Sequence, residues 1–208
     1  MKFLKTFLFV SVLALISCSD SDEDTIVQIP IESKSITNLY APAEGQGKPT
    51  GGNFTKFSFK EGKQVTGDNW DIAFRATEII VNGGEKIGLP EEIARTKNAA
   101  IALLGNMTLA DVKEAPADNL FNQDINEGFA LPWGSNNGWY TYTGPPSHAI
   151  LPKPGIILVV KTIDGNYAKM EIISYYKDNP KTITTSSESR YYTFNYVYNP
   201  NKGIKEFQ

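Results

Sequence analysis

The last third of this 208-residue chain carries the sequence pattern that most restricts its fold. Residues 155–163 and 167–176 are rich in β-branched and aromatic side chains, and Asp164-Gly165 between them is a strong hairpin-turn signal. Residues 190–198 then alternate aromatic with polar side chains, as a strand with one buried face does. Nine of the ten tyrosines lie beyond residue 138, and their amphipathic rings suit a half-buried sheet. The pattern predicts antiparallel strands.

Segments further upstream have a similar character. Four more candidate strands are 54–59, 70–81, 99–104 and 139–143, of which 99–104 fits either a strand or a helix. Residues 85–97 are polar and indicate a loop, with room for one helical turn at 91–94, and residues 107–115 fit a short turn or helix. We therefore predict an all-β fold of mainly antiparallel sheets with hairpin fingers and little helix.

The first seventeen residues have the organisation of an export signal. Lys2 and Lys5 precede a ten-residue apolar run, 7–16, which is broken only by Ser11 and is too short to span a bilayer, since a spanning helix needs about 20 residues. The run ends at Leu15-Ile16-Ser17-Cys18, which resembles a bacterial lipobox and predicts lipid on Cys18. The alternative is a plain signal peptide followed by an incidental cysteine.

A short acidic segment follows the cysteine. Residues 20–24 hold four carboxylates, which suit either a solvated linker or a surface-export signal similar to that of lipoproteins of the Bacteroidota. We divide the chain into a lipoprotein signal peptide (1–17), a lipidated Cys with an acidic linker (18–35) and one all-β domain (36–208). The expected location is the outer membrane, with the protein lipid-anchored and exposed at the cell surface.

Composition excludes several classes of function. The net charge of −3 and pI near 5.3 argue against nucleic acid as a partner, because few phosphates would be neutralised. One Cys and one His exclude disulfide frameworks, Cys-cluster zinc sites and His-rich metal sites. No Gly-x-Ser-x-Gly elbow is present, and the Gly-Lys stretch at 45–50 lacks the residues of a phosphate loop. We expect a binding protein rather than an enzyme; a hydrolase with two unrecognised carboxylates is the other possibility.

Five segments, in order along the chain, resemble the HmuY family of haem-binding lipoproteins of the Bacteroidota. They are Asn69–Arg75, Ala115–Asp118, Gly138–Tyr140, Asp164–Lys169 and Tyr191–Tyr198. The resemblance covers roughly residues 36–207. It implies a hand-shaped all-β fold in which hairpin fingers grip haem, and partnership with an outer-membrane haem receptor.

The resemblance also implies where the haem ligands should lie. One iron-binding His of the family follows the Trp of the Gly-Trp pair by five residues; that position here is Gly144, and His148 lies four residues further on. The second ligand belongs to an upstream loop, and the corresponding residues 123–137 contain neither His nor Met. His148 is therefore the candidate ligand of the haem iron, and the family's two-ligand site is not retained.

Three aromatic residues beside this loop are the candidate pocket: Trp139, Tyr140 and Tyr142. By strand alternation Tyr140 and Tyr142 share one face, where they suit stacking on a porphyrin, a phenolate ligand, or simple sheet packing. The sequence thus predicts a surface lipoprotein that binds haem or a related tetrapyrrole for iron acquisition. The alternative is a related lipoprotein that has lost haem coordination and binds a glycan or a peptide.

Overall fold

A computed structural model describes residues 28–45 and 51–208 of the protein. The signal peptide, Cys18 and the acidic segment lie outside the described residues, so those predictions stay predictions. The strands are β1 (Glu32–Tyr40), β2 (Thr55–Ser58), β3 (Lys63–Val65), β4 (Ile72–Arg75), β5 (Glu78–Val81), β6 (Ala100–Leu104), β7 (Tyr140–Tyr142), β8 (Ile150–Pro152), β9 (Ile157–Lys161), β10 (Tyr167–Tyr176) and β11 (Ser189–Asn199). The described part also contains a 3-10 helix, Asp118–Leu120.

The strands form three antiparallel sheets. The largest has five strands in the order β1-β11-β10-β9-β6, the second has four in the order β3-β2-β4-β5, and β7 pairs with β8 alone. The predicted hairpin of β9 and β10 is present, with Tyr167 opposite Lys161 and Met170 opposite Leu158. Gly165 of its turn has φ = 79°, a conformation that glycine adopts without steric cost. The all-β prediction with little helix is confirmed.

The core lies between the two larger sheets and is mainly aromatic. The alternation in β11 buries every second ring: Tyr192, Phe194, Tyr196 and Tyr198. Rings of the four-stranded sheet meet them edge-on or tilted, with centroids 5.3 Å apart for Phe57 and Phe194 and 4.7 Å apart for Phe74 and Tyr192. Such pairs contribute roughly 0.5–1.5 kcal/mol each beyond the area they bury. The tyrosine-rich strand is thus a core strand.

Three local features differ from the sequence expectation or refine it. β1 begins at Glu32, four residues before the expected boundary at 36. The exposed polar residues 33–35 carry no hydrophobic signal in the sequence, and they form a strand because they pair with β11. The segment 70–81 forms two strands, β4 and β5, joined by a turn at Ala76, which has φ = 44°. Residues 99–104 form a strand, whereas 91–94 and 107–115 contain no helix.

Two absences concern the described residues only. They contain no helix long and apolar enough to cross a membrane. They also hold no group of three or more His, Cys, Asp or Glu side chains placed to bind a metal ion.

Candidate functional site

An open cavity of about 780 Å³ lies where the β7–β8 hairpin meets the β4–β5 turn and the adjoining ends of β10 and β11. This volume falls within the usual range for small-molecule sites. Its lining consists of Gly45, Ala76, Thr77, Trp133, Ser135, Tyr140, Tyr142, His148, Ile150, Tyr175, Tyr176, Ser189 and Arg190. Five of these side chains are Trp or Tyr rings, so the cavity offers flat apolar surfaces to a ligand.

His148 lies in the loop between β7 and β8, which backbone bonds hold closed. The amides of Thr143 and Ala149 donate to the Ala149 carbonyl and the Thr143 hydroxyl, both over 2.9 Å, and the His148 amide donates to the Gly144 carbonyl over 2.8 Å. His148 itself has φ = 49°, in the left-handed region. These bonds bring the exposed imidazole back over the strand that carries Tyr142.

The Tyr142 hydroxyl hydrogen-bonds to Nδ1 of His148, and the two rings lie with centroids 5.9 Å apart. When Nδ1 is protonated and donates to the phenolic oxygen, the lone pair of the neutral imidazole lies on Nε2. A hydrogen bond to one ring nitrogen orients the other toward a metal, as in most histidine metal sites. Tyr142 and His148 together therefore form one candidate ligand to iron with a fixed orientation.

Three other aromatic residues line the cavity, and the sequence did not predict them as pocket residues: Trp133, Tyr175 and Tyr176. Trp133 donates from Nε1 to the Thr77 hydroxyl over 3.2 Å and stacks on Phe129 at 6.1 Å. Tyr175 and Tyr176 both line the cavity although neighbouring residues of a regular strand face opposite sides. A register shift between Ser174 and Tyr176 makes this possible.

The predicted pocket residues divide into lining and support. Tyr140, Tyr142 and His148 line the cavity together, as strand alternation indicated for the tyrosines. Trp139 does not line it: the ring is only 3% exposed and packs on Tyr192 at 5.2 Å, and its Nε1 donates to the Thr77 carbonyl over 3.1 Å. Trp139 therefore supports the cavity wall from the core.

Arg190 provides the cation of this cavity and was missed by the sequence reasoning. It is half-buried at the start of β11, and its guanidinium donates to the Ala43 carbonyl over 2.7 Å. Tyr175 lines the same cavity; burial raises the pKa of that phenol above its ordinary value, and the nearby Arg190 opposes the rise. Nothing in the alternating pattern of β11 distinguishes Arg190 from a solvent-facing residue.

A second cavity, of about 1050 Å³, runs beside β6 and the segment 118–137. Its lining includes the apolar Leu103, Leu104, Leu120, Ile125 and Phe129. No His or Met is among the described residues that line it. Because haem iron is held by imidazole, thioether, thiolate or phenolate groups, this cavity lacks a ligand for it.

Comparison with known proteins bears on this fold. Residues 51–196 match the family described as HmuY protein. The solved apo HmuY analog of Tannerella forsythia superposes with a TM-score of 0.54 at 15% identity, covering 84% of this chain and all of that chain (100%). A candidate HmuY-like heme-binding protein of Bacteroides vulgatus gives a TM-score of 0.46 at 13% identity, with coverages of 84% and 97%.

A candidate lipoprotein of Bacteroides fragilis likewise gives a TM-score of 0.46 at 12% identity, with coverages of 84% and 96%. No curated protein matches the sequence. At these identities the Tannerella structure supports the fold alone, and the family match is the stronger finding.

Proposed function

The chain belongs to the HmuY family, and on that premise we propose that it binds haem or a related tetrapyrrole in the cavity beside β7 and β8. One observation carries the proposal: the single histidine of the chain lies in an aromatic-walled cavity with its Nδ1 held by Tyr142. The sequence alone places His148 in a loop, where a solvated side chain is the more ordinary expectation. The contact with Tyr142 gives it a defined orientation.

The residues present fit a tetrapyrrole in three respects. The cavity is large enough for a flat small molecule, because its volume of about 780 Å³ lies within the range of roughly 300–1,000 Å³ that is usual for small-molecule sites. Trp133 and Tyr140 would provide ring surface for its apolar faces, and Nε2 of His148 would hold its iron. Two histidine ligands from one chain are excluded because the chain has one histidine, so His148 would be the one imidazole that holds the iron.

Haemin titration tests this proposal. The Cys18→Ser protein, which lacks the lipid site, should shift the Soret band of haemin at micromolar concentration. His148→Ala should weaken binding by tenfold or more, because it removes the axial ligand. Tyr142→Phe should weaken it less, because the ligand stays but loses its orientation. Tyr40→Phe, at an exposed ring outside the cavity, is the matched control and should bind as the wild type does.

Two results would count against haem. A haemin spectrum unchanged by the wild-type protein would exclude tetrapyrrole coordination. An unchanged spectrum in His148→Ala relative to the wild type would move the iron ligand away from His148. In the first case the alternative is a glycan or peptide ligand.

We also propose that the protein is a lipoprotein of the outer membrane, exposed at the cell surface, that delivers its ligand to an outer-membrane haem receptor. The support is the position of the chain's one cysteine, Cys18, at the end of the lipobox-like segment, together with the family. Cys18→Ser should release the protein from the membrane fraction. Neutralising the acidic residues 20–24 should reduce protease accessibility on intact cells, and unchanged accessibility would assign that segment to a plain linker.

A further inference from the structure

Arg190 differs from the other two arginines of the chain in having no carboxylate partner among the residues that the structure describes. Arg75 pairs with Glu78 over 2.8 Å, and Arg95 pairs with Glu92 and Asp124 over 2.6 and 2.9 Å. No ion pair within the described ranges involves Arg190, whose guanidinium donates to the Ala43 carbonyl and shares the cavity with Tyr175. Since a guanidinium has five N–H donors, donors remain for an anion.

The surroundings of Arg190 make that anion a ligand group. The lining of the cavity, as far as the structure describes it, contains no Asp or Glu, although the chain as a whole has 23 acidic against 20 basic residues. A half-buried cation against aromatic walls is more weakly screened than one on the open surface, so an opposing charge is favoured there. Arginine also matches the planar, bidentate geometry of a carboxylate.

We infer that Arg190 is a carboxylate-binding residue of this cavity, and that the ligand is a flat aromatic molecule bearing an acidic side chain. The inference rests on the proposed function for the location of the ligand. It goes further in naming what selects the ligand: aromatic rings receive its face, and Arg190 receives its carboxylate. The cavity should therefore bind esterified or uncharged analogues more weakly than the acid, including analogues that contain no iron.

Two iron-free probes separate this role from haem coordination. 1-Pyrenebutyrate presents a flat aromatic face with one carboxylate, and 1-pyrenebutanol presents the same face with a hydroxyl. The wild-type protein should bind the acid about tenfold or more tightly than the alcohol by fluorescence titration, because a charge-assisted bond to arginine contributes that much. Arg190→Gln should abolish the preference by weakening the acid alone.

The matched control is Lys177→Gln, which removes the same charge at an exposed residue outside the cavity and should keep the preference. Arg190→Lys keeps the cation and loses the planar fork, so it should retain a reduced preference; it also serves if Arg190→Gln does not fold. Equal binding of acid and alcohol by the wild type, or by a folded Arg190→Lys, would overturn the inference. Equal weakening of both probes in Arg190→Gln would overturn it too.

Haemin titration of the same proteins distinguishes the two proposals. A preference for the acid that depends on Arg190, with no Soret shift, would support the carboxylate site and remove haem as the ligand. A Soret shift with equal haemin affinity in wild type and Arg190→Gln would support haem binding and overturn the carboxylate site. Loss of both the shift in His148→Ala and the acid preference in Arg190→Gln supports both.

Discussion

Replacing Arg95 by Met should destabilise the protein severely. Arg95, Glu92 and Asp124 have side chains 1%, 2% and 0% exposed, and the guanidinium bonds both carboxylates: Glu92 over 2.6 Å, and Asp124 over 2.9 Å from each of two nitrogens. Methionine keeps the apolar stem but leaves two buried carboxylates without their cation. Removing one partner of a buried ion pair costs about 3–5 kcal/mol.

The carboxylates cannot simply turn to solvent, because the backbone holds them. Glu92 accepts hydrogen bonds from the amides of Ile87, Gly88 and Leu89, and Asp124 from those of Val81 and Ala130. A loss of that size lowers the melting temperature by about 6–20 °C, at 2–4 °C per kcal/mol for a protein of this length. Thermal and urea unfolding followed by circular dichroism would measure it.

The pH dependence of the deficit provides a second check. Burial raises the pKa of Asp124, and the backbone hydrogen bonds and Arg95 oppose that rise. Without Arg95 the pKa rises further, so the deficit of Arg95→Met should be largest at pH 7 and shrink toward pH 4 as the carboxylate is protonated. Lys177→Met is the control: its pair with Glu188 is exposed, so its loss should cost under about 1 kcal/mol. A melting temperature for Arg95→Met equal to that of Lys177→Met would refute the reasoning.

Three further predictions concern the core and the cavity wall. Burial raises the pKa of Asp71 to about 6, although the amides of Ile163 and Phe59 donate hydrogen bonds to its carboxylate. The contribution of Asp71 to stability is therefore present below the pKa of the unfolded state and is lost as the pH rises through 6. Between pH 4 and 7 the unfolding free energy of the wild type should therefore fall by up to about 3 kcal/mol relative to Asp71→Asn, and parallel curves in urea titrations would contradict this. Gly138→Ala, beside Trp139 in the cavity wall, should lower the free energy of unfolding by about 1–3 kcal/mol, because the new Cβ would lie 2.0 Å from the Pro132 carbonyl oxygen. Gly67→Ala is the control: its Cβ would meet nothing within 4 Å, so the same thermal melts should show no change. Tyr192→Phe should cost about 1–2 kcal/mol, because it removes the 2.8 Å bond to the Ala76 carbonyl; an unchanged urea midpoint would show that this buried carbonyl finds another donor.

Local pattern was enough to predict the fold class and which residues share one face of a strand. Alternation with period two identified the buried rings of β11 and the shared face of Tyr140 and Tyr142, because side-chain direction in a strand depends only on residue spacing. The hairpin of β9 and β10 followed from Asp164-Gly165, because turn chemistry is equally local. These features need no knowledge of distant parts of the chain.

The pairing of distant segments decided the rest. Residues 33–35 of β1 and the polar residues around Glu92 carry no hydrophobic signal, and they are held by backbone pairing with β11 and by the ion pair of Arg95 with Asp124. The cavity exists because β7–β8, the β4–β5 turn and the irregular end of β10 meet, and this meeting gives His148 and Arg190 their shared surroundings. Residue pattern alone predicts an all-β fold and places the one histidine in a loop. That this histidine, Arg190 and the tyrosines line one site follows from tertiary packing, because they come from three different strands, β7, β10 and β11, and from the loop after β7.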